Sequence, residues 1–321
     1  MRKLIIQIPC FNEEDTLAET LADLPRDVPG FDAVEYLVID DGSTDRTSAV
    51  ARENGAHHVV QLRMNRGLAR AFMTGLNAAV CQGADVIVNT DADNQYHAGD
   101  IPALVQPILD GHAEIVVGER PIAEIAHWSP LKKVLQSMGS WVVRMASGTH
   151  VTDAPSGFRA FTREAAMRIN VFDNYTYTLE TIIQAGRKNM AITSVPVRVN
   201  GETRPSRLIS SIPTYIRRSV FTIVRIFMTY RPFRFFSLLA ACSFFVGLVP
   251  ALRFLVFWAA GQGEGHIQSL IFSAIFVGGG FVFLVTALLA DLIAVNRQLL
   301  EDVRTRQREL EQELRRSREG S

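Results

Sequence analysis

Val86-Ile87-Val88-Asn89-Thr90-Asp91-Ala92-Asp93-Asn94-Gln95-Tyr96 is an apolar run that ends in two carboxylates one residue apart. A run of this length fits a buried parallel strand whose carboxyl end presents Asp91 and Asp93. Open α/β sheets bind their ligands at that end. While the chain stays extended, residues i and i+2 project to one side. Both carboxylates and the Gln95 amide oxygen can then face one hard cation, Mg²⁺ or Mn²⁺, with coordination positions left for diphosphate oxygens. The competing reading is a solvated turn, for which Asp and Asn are ordinary residues, and the Asp-x-Asp pair alone does not choose between the two.

Three strand–turn–helix units precede this one. Leu4 to Ile8 is a strand broken by Pro9, and Cys10-Phe11-Asn12-Glu13-Glu14-Asp15-Thr16 turns into a helix whose apolar side includes Leu17, Leu21 and Leu24. Acids in the first helical turn also complement the macrodipole, which accounts for Glu13 and Glu14 without any ligand. Next, Tyr36-Leu37-Val38-Ile39 runs into Asp40-Asp41-Gly42-Ser43-Thr44-Asp45 and a helix through Ala51. Acids at a strand end accept from base or ribose donors, and a glycine there lets the backbone turn close to a ligand. The third unit is a strand from His58 to Leu62, the turn Asn65-Arg66-Gly67 and an amphipathic helix to Val80. Strands alternating with helices predict an α/β domain with a mostly parallel sheet covered on both faces.

Taken in order, Pro9-x-x-Asn12-Glu13, Asp40-Asp41-Gly42-Ser43-x-Asp45, Asn65-x-Gly67 and Asp91-x-Asp93 resemble the nucleotide-sugar-binding domain of glycosyltransferase family 2. The resemblance implies a Rossmann-like GT-A fold and a nucleoside diphosphate-sugar donor, UDP- or GDP-linked. The implied donor contacts are Pro9, Phe11, Asn12 and Glu13, then Asp40 to Ser43, Gly67, Asp91, Ala92 and Asp93, and farther on Arg204 and Arg207. The cation falls on Asp91 and Asp93, with Gln95 beside them.

Farther on, Ile115-Val116-Val117-Gly118-Glu119-Arg120 is a strand ending in a cation. Lys132, Lys133 and Ser137 follow Pro130 on a helical pattern, and Asp153-Ala154-Pro155-Ser156-Gly157-Phe158-Arg159 returns through a turn to an apolar run. This set is similar to the subgroup that glycosylates polyprenyl or dolichyl phosphate, and implies catalytic roles for Arg120, Lys133, Ser137, Asp153 and Arg159. That subgroup commonly has an arginine on the basic helix, so whether Lys132 or Lys133 meets the acceptor phosphate stays open. A phosphate monoester has a second pKa near ~6 and is mostly dianionic at neutral pH, so it needs cations more than a general base. Arg120, the lysines, and Arg204 with Arg207 supply cations, and Asp153 is expected to orient the sugar or a cation. An enzyme acting on a sugar hydroxyl would need a base and typically shows Gln-x-x-Arg-Trp, which is absent. The third alternative is a non-catalytic nucleotide-sugar-binding membrane scaffold. The intact acidic pair and the intact 153–159 segment weigh against it.

Whole-chain charge, 33 basic against 33 acidic residues, names no partner. Its distribution does. Between positions 198 and 234 lie eight arginines and one acid, Glu202, beside apolar segments, which favours an anionic membrane leaflet over nucleic acid. Leu208, Ile212, Tyr215, Ile216, Ile223 and Phe227 recur near helical spacing beside Arg217, Arg218 and Arg225, the pattern of interfacial helices. Residues 235–260 carry one charge, Arg253, and 267–290 carry none, so each run exceeds the ~20 residues that span a bilayer. The 261–266 connection has no Lys or Arg, whereas Arg231, Arg234 and Arg297 flank the spans. The catalytic domain and both termini are therefore expected to be cytoplasmic, in an integral protein of the cell (inner) membrane. Gly278-Gly279-Gly280 is expected to permit close helix contact.

Cys10, Cys81 and Cys242 form no close pair and read as reduced, packed thiols. The apolar run after Met1-Arg2-Lys3 is too short for a signal peptide. The expected organisation is a GT-A domain at 1–205, juxtamembrane amphipathic helices at 206–233, a transmembrane hairpin at 234–294 and a charged cytoplasmic helix at 295–321. A homo-oligomer is left open.

Overall fold

A computed structural model of the chain describes residues 1–121, 130–171, 177–200, 221, 224–225, 227–261 and 267–319. At 130–136, 138, 142, 308–309 and 311–319 only the helical backbone is described. The chain divides into two compact units, Met1–Ser219 with Arg304–Ser321, and Val220–Val303.

The first unit is built on a seven-stranded sheet. Its strands are β1 (Lys3–Cys10), β2 (Ala33–Asp40), β3 (His58–Gln61), β4 (Val86–Asn89), β5 (Ile115–Glu119), β6 (Arg159–Thr162) and β7 (Ile192–Pro196), in the order β3-β2-β1-β4-β6-β5-β7. The β3-β2-β1-β4 half is parallel, and β5 and β7 are parallel to each other. Strand β6 enters antiparallel between β4 and β5. The first strand is buried from Leu4 onward because both faces are covered. Leu4, Ile6 and Ile8 pack with α1 (Leu17–Asp23) and α4 (Ile101–Leu109), while Ile5, Leu37, Ile39, Ile87 and Phe161 pack with α3 (Leu68–Cys81), α6 (Arg163–Arg168) and α7 (Tyr177–Arg187). Continuous apolar runs are what a doubly covered parallel sheet requires.

Pro9 sits in this central strand without breaking a ladder. Pairing of β1 with β4 ends at Gln7↔Asn89, so only β2 still flanks β1 at Pro9. The expected extended run through Gln95 ends early. Strand β4 stops at Asn89, a turn forms at Ala92-Asp93, and Asn94 adopts φ 53°. An i, i+2 alternation therefore does not place Asp91, Asp93 and Gln95 on one side; a turn arranges them.

Two helices, α8 (Pro232–Ala259) and α9 (Ile267–Glu319, of which the residues through Val303 belong to the second unit), contain stretches long and apolar enough to cross a membrane. Buried soluble helices would hide their apolar side chains, yet Leu238, Phe245, Val256 and Val282 are about two-thirds exposed. The two helices touch where side chains are small. A Cβ on Gly280 would lie 2.9 Å from the Phe244 ring and one on Gly247 would lie 3.0 Å from Val277, while Ser243 Oγ donates to the Phe276 carbonyl at 2.7 Å. Of the expected glycine triplet, Gly279 and Gly280 face α8 and Gly278 faces open space. Helix α9 continues unbroken through 294/295, so the tail extends the second apolar helix. The expected amphipathic region at 206–233 lies largely outside the described residues.

Candidate active site

The loops at the carboxyl ends of β1 and β2 and the turn after β3 are laced together by side chains that the sequence offers as donor contacts. Asn12, with φ 53°, donates its backbone N–H to Ser43 Oγ at 2.9 Å, and its Oδ1 accepts from Thr44 N at 2.9 Å. The Glu13 N–H donates to Thr47 Oγ1 at 2.9 Å. Asp40 accepts from Ser43 N at 2.8 Å and from Ser48 Oγ. Asp41 accepts from the backbone N–H groups of Arg66 and Gly67 at 2.9 and 2.8 Å, so it positions the Asn65-Arg66-Gly67 turn. Burial raises its pKa even though these two N–H groups favour the charged form. Gly42 is required by the same packing. At φ 72°, its Cβ would stand 2.4 Å from the Met64 carbonyl carbon. Pro9 and Ala92 are buried, Gly67 is half-buried, and Phe11 is exposed at the rim.

Asp91 and Asp93 lie in a turn pinned from two directions. Thr20 Oγ1 on α1 donates to the Ala92 carbonyl at 2.9 Å, and Asn94 Nδ2 donates to Asp23 Oδ2 at 2.8 Å. From the other side, Asn200 Nδ2 donates to the Asn94 carbonyl at 2.9 Å and Asn200 N to the Gln95 carbonyl at 2.9 Å. The Gln95 N–H donates to Asp93 Oδ1 at 3.2 Å, a local turn contact, and the Gln95 side chain is half-buried. The Asp91 carboxyl is pushed up to about 7 by burial and then by the Asp93 charge; Glu13 adds to this, and Arg120 and Arg159 oppose it. Two acids crowded in this way fit a divalent cation, because a positive charge between them removes the repulsion that raises the pKa. Among the described residues no group of three or more His, Cys, Asp or Glu side chains is assembled for a metal. Asp91 and Asp93 are the two carboxylates that would hold such a cation.

Beside this turn, Arg120 and Asp153 form a buried two-point ion pair. Nε donates to Oδ2 at 2.7 Å, Nη2 to Oδ1 at 3.0 Å, and the Arg120 N–H to Oδ2 at 3.2 Å. Burial works against the charge on Arg120, but Tyr96, Asp153 and Asp91 raise its pKa above the ordinary value. Arg159 is fully buried and has a pKa lowered to about 10 by that burial. Its guanidinium donates to the carbonyls of Ser156, Thr178 and Ala154 at 2.8, 2.8 and 2.6 Å and to Thr181 Oγ1, so it holds the 154–156 loop to α7. Ser137 is exposed on α5 (Pro130–Ser147), and on the same helix the Ser140 hydroxyl accepts from Ala154 N at 3.3 Å. Lys132 and Lys133 are on α5 but their side chains lie outside the described residues, as do Arg204 and Arg207 entirely.

The structure thus brings Asp91, Asp93, Glu13, Arg120, Asp153 and Arg159 into one electrostatic neighbourhood. It adds residues that the sequence did not single out. Gln7, Asn89, Tyr96 and Tyr177 are buried and polar-tipped beneath the site. Asn89 left one readable trace, an amide inside an otherwise apolar strand. The tyrosines left none.

The family model for glycosyl transferase family 2 matches residues 5–169. Undecaprenyl-phosphate mannosyltransferase of Micrococcus luteus is 30% identical over 220 residues, which is 64% of this chain and 88% of that one. UDP-N-acetylglucosamine–dolichyl-phosphate N-acetylglucosaminyltransferase of Methanococcus voltae is 30% identical over 213 residues, covering 60% of this chain and 83% of that one. Among solved structures, glucosyl-3-phosphoglycerate synthase from Mycobacterium tuberculosis in complex with Mn²⁺, UDP and glucosyl-3-phosphoglycerate has a TM-score of 0.55 at 21% identity, over 71% of this chain and 80% of that one. The sheet order, the acidic turn after β4 and these likenesses agree: this chain belongs to glycosyl transferase family 2, has the GT-A fold, and is a glycosyltransferase.

Proposed function

We propose that the enzyme transfers a sugar from a UDP- or GDP-linked donor to a polyprenyl phosphate, inverting the anomeric centre, at the cytoplasmic face of the cell membrane. The observation that carries this reading is the state of Asp153. It is fully buried, and both carboxylate oxygens are engaged by Arg120, so it is tied down where a hydroxyl acceptor would need a proton abstracted. A dianionic phosphate needs no such base. The names of the Micrococcus and Methanococcus relatives, which carry undecaprenyl and dolichyl phosphate, support the same acceptor class.

Asp91 and Asp93 would hold Mg²⁺ or Mn²⁺, which would supply positive charge for a departing diphosphate. The loops at Asn12–Glu13, Asp40–Ser43 and Gly67 shape the nucleotide cleft, with Phe11 exposed at its rim. Arg120 and Asp153 together form a rigid wall near Asp91, and Lys133, Ser137, Arg204 and Arg207 meet the phosphates. The GT-A domain occupies 1–205, and the two apolar helices anchor it as a hairpin with both termini cytoplasmic.

The deciding experiment supplies purified enzyme with Mn²⁺, a UDP- or GDP-sugar, and either polyprenyl phosphate or the matching free polyprenol. Acid-labile glycosyl phosphate formed from the first and nothing from the second is expected. Equal turnover of an alcohol acceptor would replace the phosphate reading with a hydroxyl one. Nucleotide-sugar binding with no turnover of any acceptor would favour a scaffold.

A further inference from the structure

Beneath the site lies a polar layer that no donor or acceptor contact accounts for. Gln7, Asn89 and Arg159 are register partners on three adjacent strands, Gln7↔Asn89 across β1 and β4 and Asn89↔Arg159 across β4 and β6. All three are fully buried, on the sheet face otherwise filled by Ile5, Ile87 and Phe161. Gln7 Nε2 donates to Asn89 Oδ1 at 2.8 Å, which leaves the Asn89 Nδ2 to donate to the Gly157 carbonyl at 2.8 Å and the Tyr177 hydroxyl at 3.0 Å. The Gly157 N–H donates to the Tyr96 hydroxyl at 3.0 Å. Gly157 is therefore gripped at both its N–H and its C=O.

What Gly157 faces gives this grip its meaning. A Cβ placed on it would stand 3.0 Å from both Asp91 carboxylate oxygens and 3.0 Å from the Tyr177 hydroxyl. The backbone at 157 is the wall against which the Asp91 carboxylate rests. The arrangement is also poor for stability, because Gln7 Oε1 is buried and has no hydrogen-bond partner among the described residues. Helix α3 accommodates it with Gly75, where a Cβ would fall 2.4 Å from that oxygen. Aliphatic residues at 7 and 89 would avoid both defects, so packing alone does not explain the amides.

We propose that Asn89, oriented by Gln7, is a positioning residue that acts through Gly157 to set the Asp91 carboxylate for the divalent cation and the donor diphosphate. This rests on the assignment of Asp91 to that cation. Moving a carboxylate by a fraction of an ångström is enough to spoil a site built from only two protein ligands.

The test measures Mn²⁺ binding by the loss of the free-ion EPR signal on the full-length enzyme, with UDP and separately GDP present, alongside thermal midpoints without metal. Asp91→Asn should abolish binding. Asn89→Leu and Gly157→Ala should weaken it at least tenfold. Gln7→Leu should weaken it severalfold while its midpoint changes little, because one unmatched acceptor, Gln7 Oε1, is removed and another, Asn89 Oδ1, takes its place. A layer that is merely structural gives the reverse, with midpoints lowered and Mn²⁺ affinity of the folded protein unchanged; that result overturns the proposal. Should Asn89→Leu not fold, Gln7→Leu and Gly157→Ala carry the same reading. Undiminished binding by Asp91→Asn would instead remove the cation assignment and the inference with it, an outcome distinct from a wild-type-like Asn89→Leu beside an inactive Asp91→Asn.

Discussion

Arg120 and Asp153 hold one another through two parallel hydrogen bonds, 2.7 and 3.0 Å long, in a setting where Asp153 has no exposed surface. The pair joins the end of β5 to the loop before β6, segments 33 residues apart in the chain. Each group meets the other's charge at two points, so removing either takes a buried two-point ion pair away from its partner.

Arg120→Ala and Asp153→Ala should each destabilise the enzyme by about 3–5 kcal/mol, since each breaks a buried two-point ion pair from one side. The double change Arg120→Met with Asp153→Leu should recover most of that stability and none of the transfer activity. Thermal midpoints and turnover with polyprenyl phosphate check this. A double variant as active as the wild type would limit the pair to a structural role.

Lys133→Ala should leave the thermal midpoint and donor affinity unchanged and lower transfer to polyprenyl phosphate about thirtyfold, the effect of one charge-assisted contact worth about 2 kcal/mol. The acid limb of the rate profile should follow the acceptor phosphate near pH ~6 and persist in Asp153→Asn. If that limb vanishes in Asp153→Asn while Lys133→Ala transfers normally, the acceptor is a hydroxyl activated by Asp153.

EDTA should abolish activity, and Mg²⁺ or Mn²⁺ should restore it. Asp91→Asn and Asp93→Asn should each lose nucleotide binding without unfolding. The Asp91 carboxyl rises from 3.8 to about 7 on folding, so between roughly pH 4 and 7 the folded protein keeps a proton that the unfolded chain has released. Its contribution to metal-free stability is present below this window and is lost as pH rises through about 7. Asp91→Asn should flatten that decline and, at pH ~8 without metal, be more stable than the wild type by on the order of 1–2 kcal/mol. Parallel stability–pH curves for the two proteins would refute this.

With Cys81 and Cys242, both exposed, replaced by serine, a cysteine introduced at Gly263 should react with impermeant thiol reagents from outside the cell membrane. One introduced at Ser321 should not. Equal labelling of both from outside would contradict the hairpin.

Gly280→Leu drives a side chain into the Phe244 ring, whereas Gly278→Leu points into open space. The first should cost about 1–3 kcal/mol of hairpin stability and the second almost nothing. Unfolding in detergent distinguishes them, and equal effects would mean that α8 and α9 pack differently.

Much of the architecture was legible because its signals are local. The runs at Leu4–Ile8, Tyr36–Ile39 and Val86–Val88 each declare a strand by apolar content alone, and the long uncharged stretches declare α8 and α9 by length. The glycine at 42 and the acids at 40 and 41 were recognisable as a turn that needs those residues. Their partners were not. That Asp41 holds the Arg66 and Gly67 amides, and that Gly42 is crowded by Met64, involves residues more than 20 positions away.

By itself the sequence determined the alternation of strands and helices, the acidic turn after β4, the arginine-flanked apolar helices and the family to which these belong, all of which rest on residue order over short spans. Only the tertiary structure decided that β6 enters antiparallel between β4 and β5, which carries Arg159 to the strand beside Asn89, where its guanidinium clamps the 154–156 loop. It likewise decided that Asp153 faces Arg120, and that Gln7 reaches across 82 residues to orient Asn89 beneath Asp91. Such pairings are selected by sheet register and by the cost of leaving buried polar groups unmatched, conditions that exist only once distant segments have been brought together.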